Sequence, residues 1–183
     1  METIRSEARR GAVSAVYGRL PANFLTDERL LTADWSIDVS FRGHAKAVLR
    51  RPGARTQEKS ITPGTCTIYA SGATEFVELT QPSEYVEFVI PPDLRRAVSE
   101  ELKTGHDPQL ADIDGIADPA LWAAATWVRS AALSDENLHS LELDKLAYRV
   151  LSSLTLRVFG GRRPRTNSLG LDSNRVTRLN EYI

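Results

Sequence analysis

Residues 35–41 read WSIDVSF, and this stretch decides the predicted fold. Every second residue is apolar and the residues between are small or polar, which is the period-2 pattern of a strand with one buried face. Residues 85–90, YVEFVI, repeat the pattern until Pro91 and Pro92 end it. Both stretches therefore predict half-buried β-strands.

Three more short strands are predicted between these two, at residues 45–49, 66–69 and 76–79. Turn signals separate them at Pro52-Gly53 and Pro63-Gly64, because proline presets φ and glycine tolerates a positive φ. Short strands between such turns are typical of a β-sandwich or a small β-barrel.

After residue 92 the apolar period becomes helical. A first helix is predicted from Asp93 to Lys103, and a second begins at Asp118-Pro119, where aspartate caps the helix and proline occupies its first turn. A third helix, from about Leu138 to Phe159, has its apolar residues at the 3-4-3 spacing of an amphipathic helix. These are Leu143, Leu146, Ala147, Val150, Leu151, Leu154 and Val158. The predicted fold class is α+β, with a β-barrel or sandwich followed by a C-terminal helix pair.

Residues 161–171 are rich in arginine and contain proline and glycine, which is typical of an interdomain linker. Residues 172–183 form a short amphipathic segment with Val176, Leu179 and Ile183 on one side. A helix this short is marginal by itself. We therefore expect this segment to be the beginning of a further domain.

The order of these elements, with the Pro63-Gly64 turn and the segment LDSNRVTRLNEYI at 171–183, resembles transcription regulators of the AraC/XylS type. In that family, the DNA-binding half commonly opens with a helix that contains an Arg-Val or Arg-Ile pair and ends on Tyr-Ile. The matching residues here are Arg175-Val176 and Tyr182-Ile183.

The resemblance implies three parts. Residues 1–160 would form a cupin-like effector-binding and dimerisation domain, residues 161–171 a linker, and residues 172–183 the first helix of a helix-turn-helix DNA-binding domain. The implied function is that of the sensing domain of a bacterial AraC-type transcription regulator. Its expected partners are a small-molecule effector, a second copy in a homodimer, and DNA through a C-terminal half that this sequence does not contain.

Two alternatives stay open, namely a cupin-type metalloenzyme and a freestanding small-molecule-binding protein. Cupin-like barrels often bind metals through histidines, but His44, His106 and His139 have no ligand-like spacing, so no metal and no other cofactor is predicted. The sequence has no Gly-x-Ser-x-Gly elbow and no glycine-rich phosphate loop before a helix. Cys66 lies in an apolar strand, where a buried inert thiol is expected. The chain is predicted not to be an enzyme.

A small barrel can enclose one small ligand, lined by apolar and aromatic side chains. The candidate lining residues are Trp35, Ile37, Val39, Phe41, Tyr69, Phe76, Val86 and Phe88. The same residues also fit a filled core, and Trp35 and Tyr69 are the preferred exceptions because each joins an apolar ring to a polar atom. Four carboxylates are interpreted as solvated strand faces rather than an acid–base pair: Glu75, Glu78, Glu84 and Glu87.

The third predicted helix has an apolar surface wider than one contact needs. Two such helices packed antiparallel across a two-fold axis would make an isologous dimer. The predicted contact residues are Leu143, Leu146, Val150, Leu154 and Val158. The alternative is that the second helix, with Trp122 and Trp127, covers this surface within one chain.

The bulk composition excludes several classes of protein. The 183 residues carry a net charge of −1 and contain one cysteine, so an intrachain disulfide is impossible. No apolar run approaches the roughly 20 residues of a membrane span, and the N-terminus has no apolar signal core. The protein is predicted to be cytoplasmic and to have no membrane partner.

Overall fold

The computed structural model describes residues 4–10, 13–26, 30–32, 35–42, 45–50, 57–69, 72–74, 76–104, 113–134 and 140–158. The first strands of this part are β1 (Ile4–Arg10), β2 (Val13–Leu20), β3 (Phe24–Thr26), β4 (Leu30–Thr32), β5 (Trp35–Arg42) and β6 (Ala45–Arg50). The next are β7 (Gln57–Ile61), β8 (Cys66–Tyr69), β9 (Gly72–Thr74), β10 (Phe76–Leu79) and β11 (Ser83–Ile90). Then follow α1 (Pro92–Glu101), β12 (Ile113–Ile116), α2 (Pro119–Leu133) and α3 (Ser140–Val158).

The strands form antiparallel sheets. The main sheet has six strands in the order β1-β2-β11-β5-β8-β12, and a second sheet has four in the order β3-β10-β6-β7. Strands β4 and β9 make a separate pair. The predicted α+β class, with a β-sandwich followed by helices, is therefore confirmed. The predicted linker 161–171 and the segment 172–183 lie outside the residues that the structure describes.

One face of the main sheet packs against the helices. Ile37 and Val39 in β5 stand opposite Phe88 and Val86 in β11, and all four are buried. They belong to one apolar cluster that includes Leu121, Val128 and Leu151 from α2 and α3. The alternation in β5 thus turns its apolar side to the helices, where removal of apolar area from water stabilises the fold by about 25 cal/mol per Å².

Asp118 fixes the start of α2 to the end of α3. One of its carboxylate oxygens accepts hydrogen bonds from the N–H groups of Ala120 (2.8 Å) and Leu121 (3.1 Å), which confirms the predicted N-cap. The other oxygen accepts from the hydroxyl of Ser153 (2.8 Å) and lies 3.1 Å from Nε of Arg157. The Asp118 side chain is fully buried, so all its bonds are to protein.

The predicted dimer helix is covered within the chain itself, which corrects the sequence interpretation. Four of the five proposed contact residues are buried in the apolar cluster, and the fifth packs partly buried against it: Leu143, Leu146, Val150, Leu154 and Val158. Trp122 and Trp127 are instead 38% and 37% exposed, so they do not act as the cover. A homodimer stays a prediction, but this stripe no longer supports it.

The Asp118→Ala variant tests the link between the helices. We expect it to lower the free energy of unfolding by about 2–4 kcal/mol, because it leaves two helix N–H groups and the Arg157 guanidinium without their carboxylate. Urea denaturation gives the value. Asp93→Ala is the control, since its ion pair with Arg96 is exposed and its loss is expected to cost much less. Equal losses in both variants would contradict the role of Asp118.

Candidate functional site

The face of the main sheet that turns away from the helices has mostly polar residues on β5 and β8, with Val16 and Val89 beside them on β2 and β11. Asp38 in β5 stands between Glu87 of β11 and Thr67 of β8 in the sheet register. Ser36, two positions before Asp38, stands opposite Tyr69 of β8, and Ser40, two positions after it, stands opposite Tyr85 of β11. We call this set the inner patch: Ser36, Asp38, Ser40, Thr67, Tyr69, Tyr85 and Glu87.

The inner patch is partly shielded from solvent although it is polar, and Tyr69, Tyr85 and Glu87 in it are half-buried. Ser36, Ser40 and Thr67 are buried, and Asp38 is half-buried. Oδ1 of Asp38 and Oγ of Ser40 are fully shielded and have no hydrogen-bond partner in the part of the chain that the structure describes. Buried polar atoms are nearly always paired, and an unpaired one costs about 1–3 kcal/mol. Two such atoms on one face of one strand therefore need an explanation.

Two carboxyl groups face each other in this patch. Directly opposed residues of antiparallel strands have Cβ atoms roughly 4.5–5.5 Å apart, so Asp38 and Glu87 repel each other when both are ionised. Burial raises the pKa of Asp38 well above its ordinary value, and the charge of Glu87 raises that pKa further. The arrangement favours the protonated form of Asp38.

Tyr85 owes its place in the patch to a glycine. A Cβ atom on Gly18 of β2 would lie 2.6 Å from Cζ of Tyr85, closer than real carbon contacts allow. Gly18 stands opposite Tyr85 in the register, so the ring lies across β2 where any side chain would collide with it. The glycine thus fixes where this aromatic ring lies on the inner face.

A second polar cluster lies on the helix-facing side, around Glu84 of β11. Its Oε1 accepts hydrogen bonds from the hydroxyl of Tyr17 (2.8 Å) and from Nε of Arg129 in α2 (2.7 Å), and Arg19 lies at 3.4 Å. The Arg129 guanidinium also lies 5.2 Å from the centre of the Phe41 ring. This Glu84 cluster ties α2 to three strands of the sheet.

The partners of Glu84 decide its ionisation. Burial alone raises the pKa of this carboxyl, but the hydrogen bonds from Arg129 and Tyr17, together with the charges of Arg129 and Arg19, outweigh burial and lower the pKa. Glu84 is thus held ionised by its neighbours, whereas Asp38 on the other face has the opposite tendency.

Most of the predicted ligand-lining residues lie on the wrong face for the inner patch. Ile37, Val39, Val86 and Phe88 are packed in the core against the helices, because they are the apolar half of the alternation. Phe41 is on the same side, with its ring centre 4.7 Å from that of Trp122. Of the predicted set, Tyr69 belongs to the inner patch. The side chains of Trp35 and Phe76 lie outside what the structure describes.

The interpretation of the glutamates was wrong for two of the four. Glu84 is 6% exposed and Glu87 is half-buried, so neither lies on a solvated face. Glu75 and the Glu78 side chain lie outside the described part. Sequence reasoning missed Asp38, Ser40 and Glu87 because alternation assigns polar residues to the uncovered side. The available signal was that each of the two strongly alternating strands has one carboxylate between its apolar residues, namely Asp38 in residues 35–41 and Glu87 in residues 85–90.

Cys66 is buried, as predicted, and burial with the charges of Asp118 and Asp38 raises the pKa of its thiol to about 12. The described residues contain no group of three or more histidine, cysteine or acidic side chains placed to hold a metal ion. His44, His106 and His139 lie outside the described ranges, so the absence of a metal site stays a prediction. No helix in the described part is long and apolar enough to cross a membrane.

No protein-family model and no curated protein matches this chain. Among solved structures, it is similar to a cupin domain from Bordetella pertussis Tohama I, with 16% identity, a TM-score of 0.42, and coverage of 49% of this chain and 93% of that chain. A cupin superfamily protein from Desulfitobacterium hafniense DCB-2 has 8% identity and a TM-score of 0.40, with 49% and 77% covered. An oxalate decarboxylase from Bacillus subtilis has 13% identity and a TM-score of 0.36, with 74% of this chain and 31% of that chain covered. These similarities concern the fold.

The Glu84→Gln variant tests the Glu84 cluster through pH. A carboxyl with a lowered pKa stabilises the protein above its ordinary pKa, and this stabilisation disappears as pH falls through the lowered value. We expect the variant to lose about 1–3 kcal/mol of unfolding free energy at pH 7 and to approach the wild type in acid. Urea denaturation across pH measures this, with exposed Glu100→Gln as the control. A deficit that does not change with pH would contradict the ionic role.

Asp38→Asn is expected to stabilise the protein by about 1–3 kcal/mol at pH 8, because the amide removes the repulsion from Glu87 and the burial of a charge. An acid with a raised pKa contributes stability below its ordinary pKa, which is lost as pH rises through the raised value. The gain in the variant should therefore grow with pH. Thermal unfolding from pH 4 to 9 tests this, with exposed Asp114→Asn as the control. A variant less stable than wild type at pH 8 would refute it.

Proposed function

We propose that this chain is a small-molecule-binding domain and that the inner patch is its ligand site. The observation that carries the proposal is the pair of shielded, unpaired polar atoms, Asp38 Oδ1 and Ser40 Oγ. The two residues lie two positions apart on β5 and therefore point to the same face, about 6.6 Å apart along the strand. One bound polar molecule would form hydrogen bonds with both of these unpaired atoms.

The other buried carboxylates of the described residues give a useful contrast. Glu84 has three side-chain partners, and Asp118 has two backbone and two side-chain partners. These carboxylates stabilise the fold, and residues of the chain itself provide their hydrogen-bond donors. Asp38 has a repelling carboxyl opposite it instead, which weakens the free protein. A local arrangement that costs stability is typical of a binding site.

The finer part of the proposal is that the ligand is an effector and the chain a sensing domain of the AraC/XylS type. Strand β5 supports this because it has the inner patch on one face and Phe41 on the other. Phe41 contacts Trp122 and Arg129 of α2. A ligand that shifts β5 would therefore change how α2 packs on the sheet. The altered packing of α2 would then change how the DNA-binding halves are presented in a homodimer. This mechanism requires unequal affinity for two arrangements of the helices.

The second candidate is a freestanding small-molecule-binding protein. It is favoured by the position of the inner patch, whose residues all lie between positions 36 and 87. Ligand binding as such would then need nothing from the predicted linker or the segment after it. The two candidates share a site and differ in whether binding at β5 alters α2.

Ligand binding is tested by a thermal-shift screen of the purified chain against a library of polar metabolites. We expect a stabilising compound whose effect rises with the logarithm of its concentration. Ser40→Ala should weaken binding about 5- to 10-fold, which corresponds to one lost hydrogen bond. Ser99→Ala is the matched control, because Ser99 is a buried serine in α1 whose Oγ is also unpaired. A hit that Ser40→Ala leaves unchanged, or a screen without hits, would speak against the site.

The regulatory part has its own readout in Trp122. In a chain with Trp35→Phe and Trp127→Phe, we expect a hit compound to shift the Trp122 emission, since this ring contacts Phe41. Phe41→Leu should remove most of the shift and leave the affinity within about threefold. A compound that binds without any change at Trp122 would favour the freestanding binding protein.

A further inference from the structure

We infer that the exposed side of α2 is the interface for a second copy of this chain, which packs its own α2 antiparallel on the same side. We call this surface the α2 face, and it consists of the exposed residues Trp122, Ala123, Thr126, Trp127, Ser130 and Leu133. The inference rests on the proposed function in one respect, because it gives the expected homodimer its interface. It is carried by the distribution of apolar and charged side chains over the three helices.

The exposed apolar surface of the described ranges is concentrated on α2. Trp122, Trp127 and Leu133 are exposed, and they are the only large apolar side chains in those ranges that are. The opposite side of the helix is buried in the apolar cluster through Leu121 and Val128. A surface helix normally has a charged or polar side opposite its buried one, whereas a helix that is apolar all round is covered on both sides. The α2 face therefore calls for a cover.

The α2 face has no charge. Arg129 is the only charged residue of α2, and it turns to the sheet, where Nε donates to Glu84 (2.7 Å) and the guanidinium lies 5.2 Å from the centre of the Phe41 ring. The hydroxyl of Thr126 donates to the carbonyl of Trp122 (2.8 Å), so this polar group is paired within the helix. The exposed sides of the other two helices are charged, with Asp93, Arg96 and Glu100 in α1 and Lys145, Arg149 and Arg157 in α3.

The α2 face fits a copy of itself. Its middle is formed by the small side chains of Ala123, Thr126 and Ser130, which let the axis of another helix approach closely. Trp122 and Leu133 lie about three turns apart, so they are on the same side of the helix near its two ends. In an antiparallel pair, Trp122 of each chain therefore lies beside Leu133 of the other. Neither copy brings a charged residue of its α2 face to the contact, so like charges do not oppose it.

The area of the α2 face sets the strength of the contact. A tryptophan side chain can bury roughly 250 Å², so the exposed parts of Trp122 and Trp127 offer roughly 190 Å² per chain. With Leu133 and the small residues added, the face stays below the roughly 800 Å² per partner of a standard interface. Trp122 is already ordered by its contact with Phe41, which lowers the entropy cost of association. We therefore expect a reversible dimer with a Kd of about 10–100 µM.

The first measurement is sedimentation velocity of the full chain from about 2 to 500 µM, a range that brackets the expected Kd. We expect the sedimentation coefficient to rise from that of a monomer to that of a dimer. Thr126 lies in the middle of the α2 face and therefore close to its counterpart across the two-fold axis. Thr126→Glu should weaken association at least tenfold, because it opposes two like charges.

A charge-swap pair makes the test specific for a second copy. Thr126→Lys should weaken association as Thr126→Glu does, and an equal mixture of the two variants should associate within about threefold of the wild type, because opposite charges then face each other. Recovery in the mixture also demonstrates that both variants fold. Lys145→Glu, on the exposed side of α3, is the control and should leave association unchanged.

Three outcomes would overturn the inference. The first is a chain that stays monomeric at the highest concentration; acrylamide quenching in a Trp35→Phe chain then shows whether Trp122 and Trp127 are open or covered by a segment of the same chain. The second is a dimer that persists in Thr126→Glu, which places the interface elsewhere. The third is a mixture that does not associate. None of them affects the ligand site, because the inner patch lies on β5, β8 and β11, and the metabolite screen tests it separately.

Discussion

Strand β5 has buried residues on both of its faces, and the rest of the described structure depends on this constraint. Ile37, Val39 and Phe41 pack into the apolar cluster with α2 and α3, and Ser36, Asp38 and Ser40 lie on the opposite face of the sheet. Since a strand exposes alternate side chains to opposite faces, the register with β8 and β11 decides both sides together. A slip of one residue would put Asp38 among leucines and Val39 among carboxyls.

The two faces use charge in opposite ways. On the helix side, Glu84 and Asp118 are buried with arginine, hydroxyl and backbone donors around them. Glu84 connects α2 to the sheet, and Asp118 connects the start of α2 to α3. Such fully bonded groups rigidify a fold and specify one packing. On the inner side, Asp38 has a carboxyl opposite it and an oxygen without a donor. The contrast within one sheet separates groups that stabilise the fold from the groups that we propose as a ligand site.

The path along β5 from the polar face of the sheet to α2 is short. Asp38 and Ser40 are separated from Phe41 by at most three positions of one strand, and Phe41 meets Trp122 and Arg129. Through the same Arg129, the Glu84 cluster joins α2 to β2 and β11. A small shift of β5 therefore has a packed route to the helix, and packed interiors transmit displacement because they contain little free space. This is the physical basis of the sensing role that we propose.

The sequence by itself determined the strands with strong alternation, the helices with 3-4-3 spacing, the Asp118 cap and the buried state of Cys66. These are local properties, set by periods of two or 3.6 residues and by the chemistry of helix ends. It did not predict β1, β2, β3, β4, β7, β9 or β12. It assigned the ligand site to residues such as Ile37, Val39 and Phe88, because alternation separates two faces without saying what covers either one. Only the tertiary structure decided that helices cover the apolar face and that Ser36, Ser40 and Thr67 on the polar face are buried as well. Burial belongs to the folded chain and does not follow from alternation, and it shields Asp38 Oδ1 and Ser40 Oγ on a face that the sequence pattern assigns to solvent.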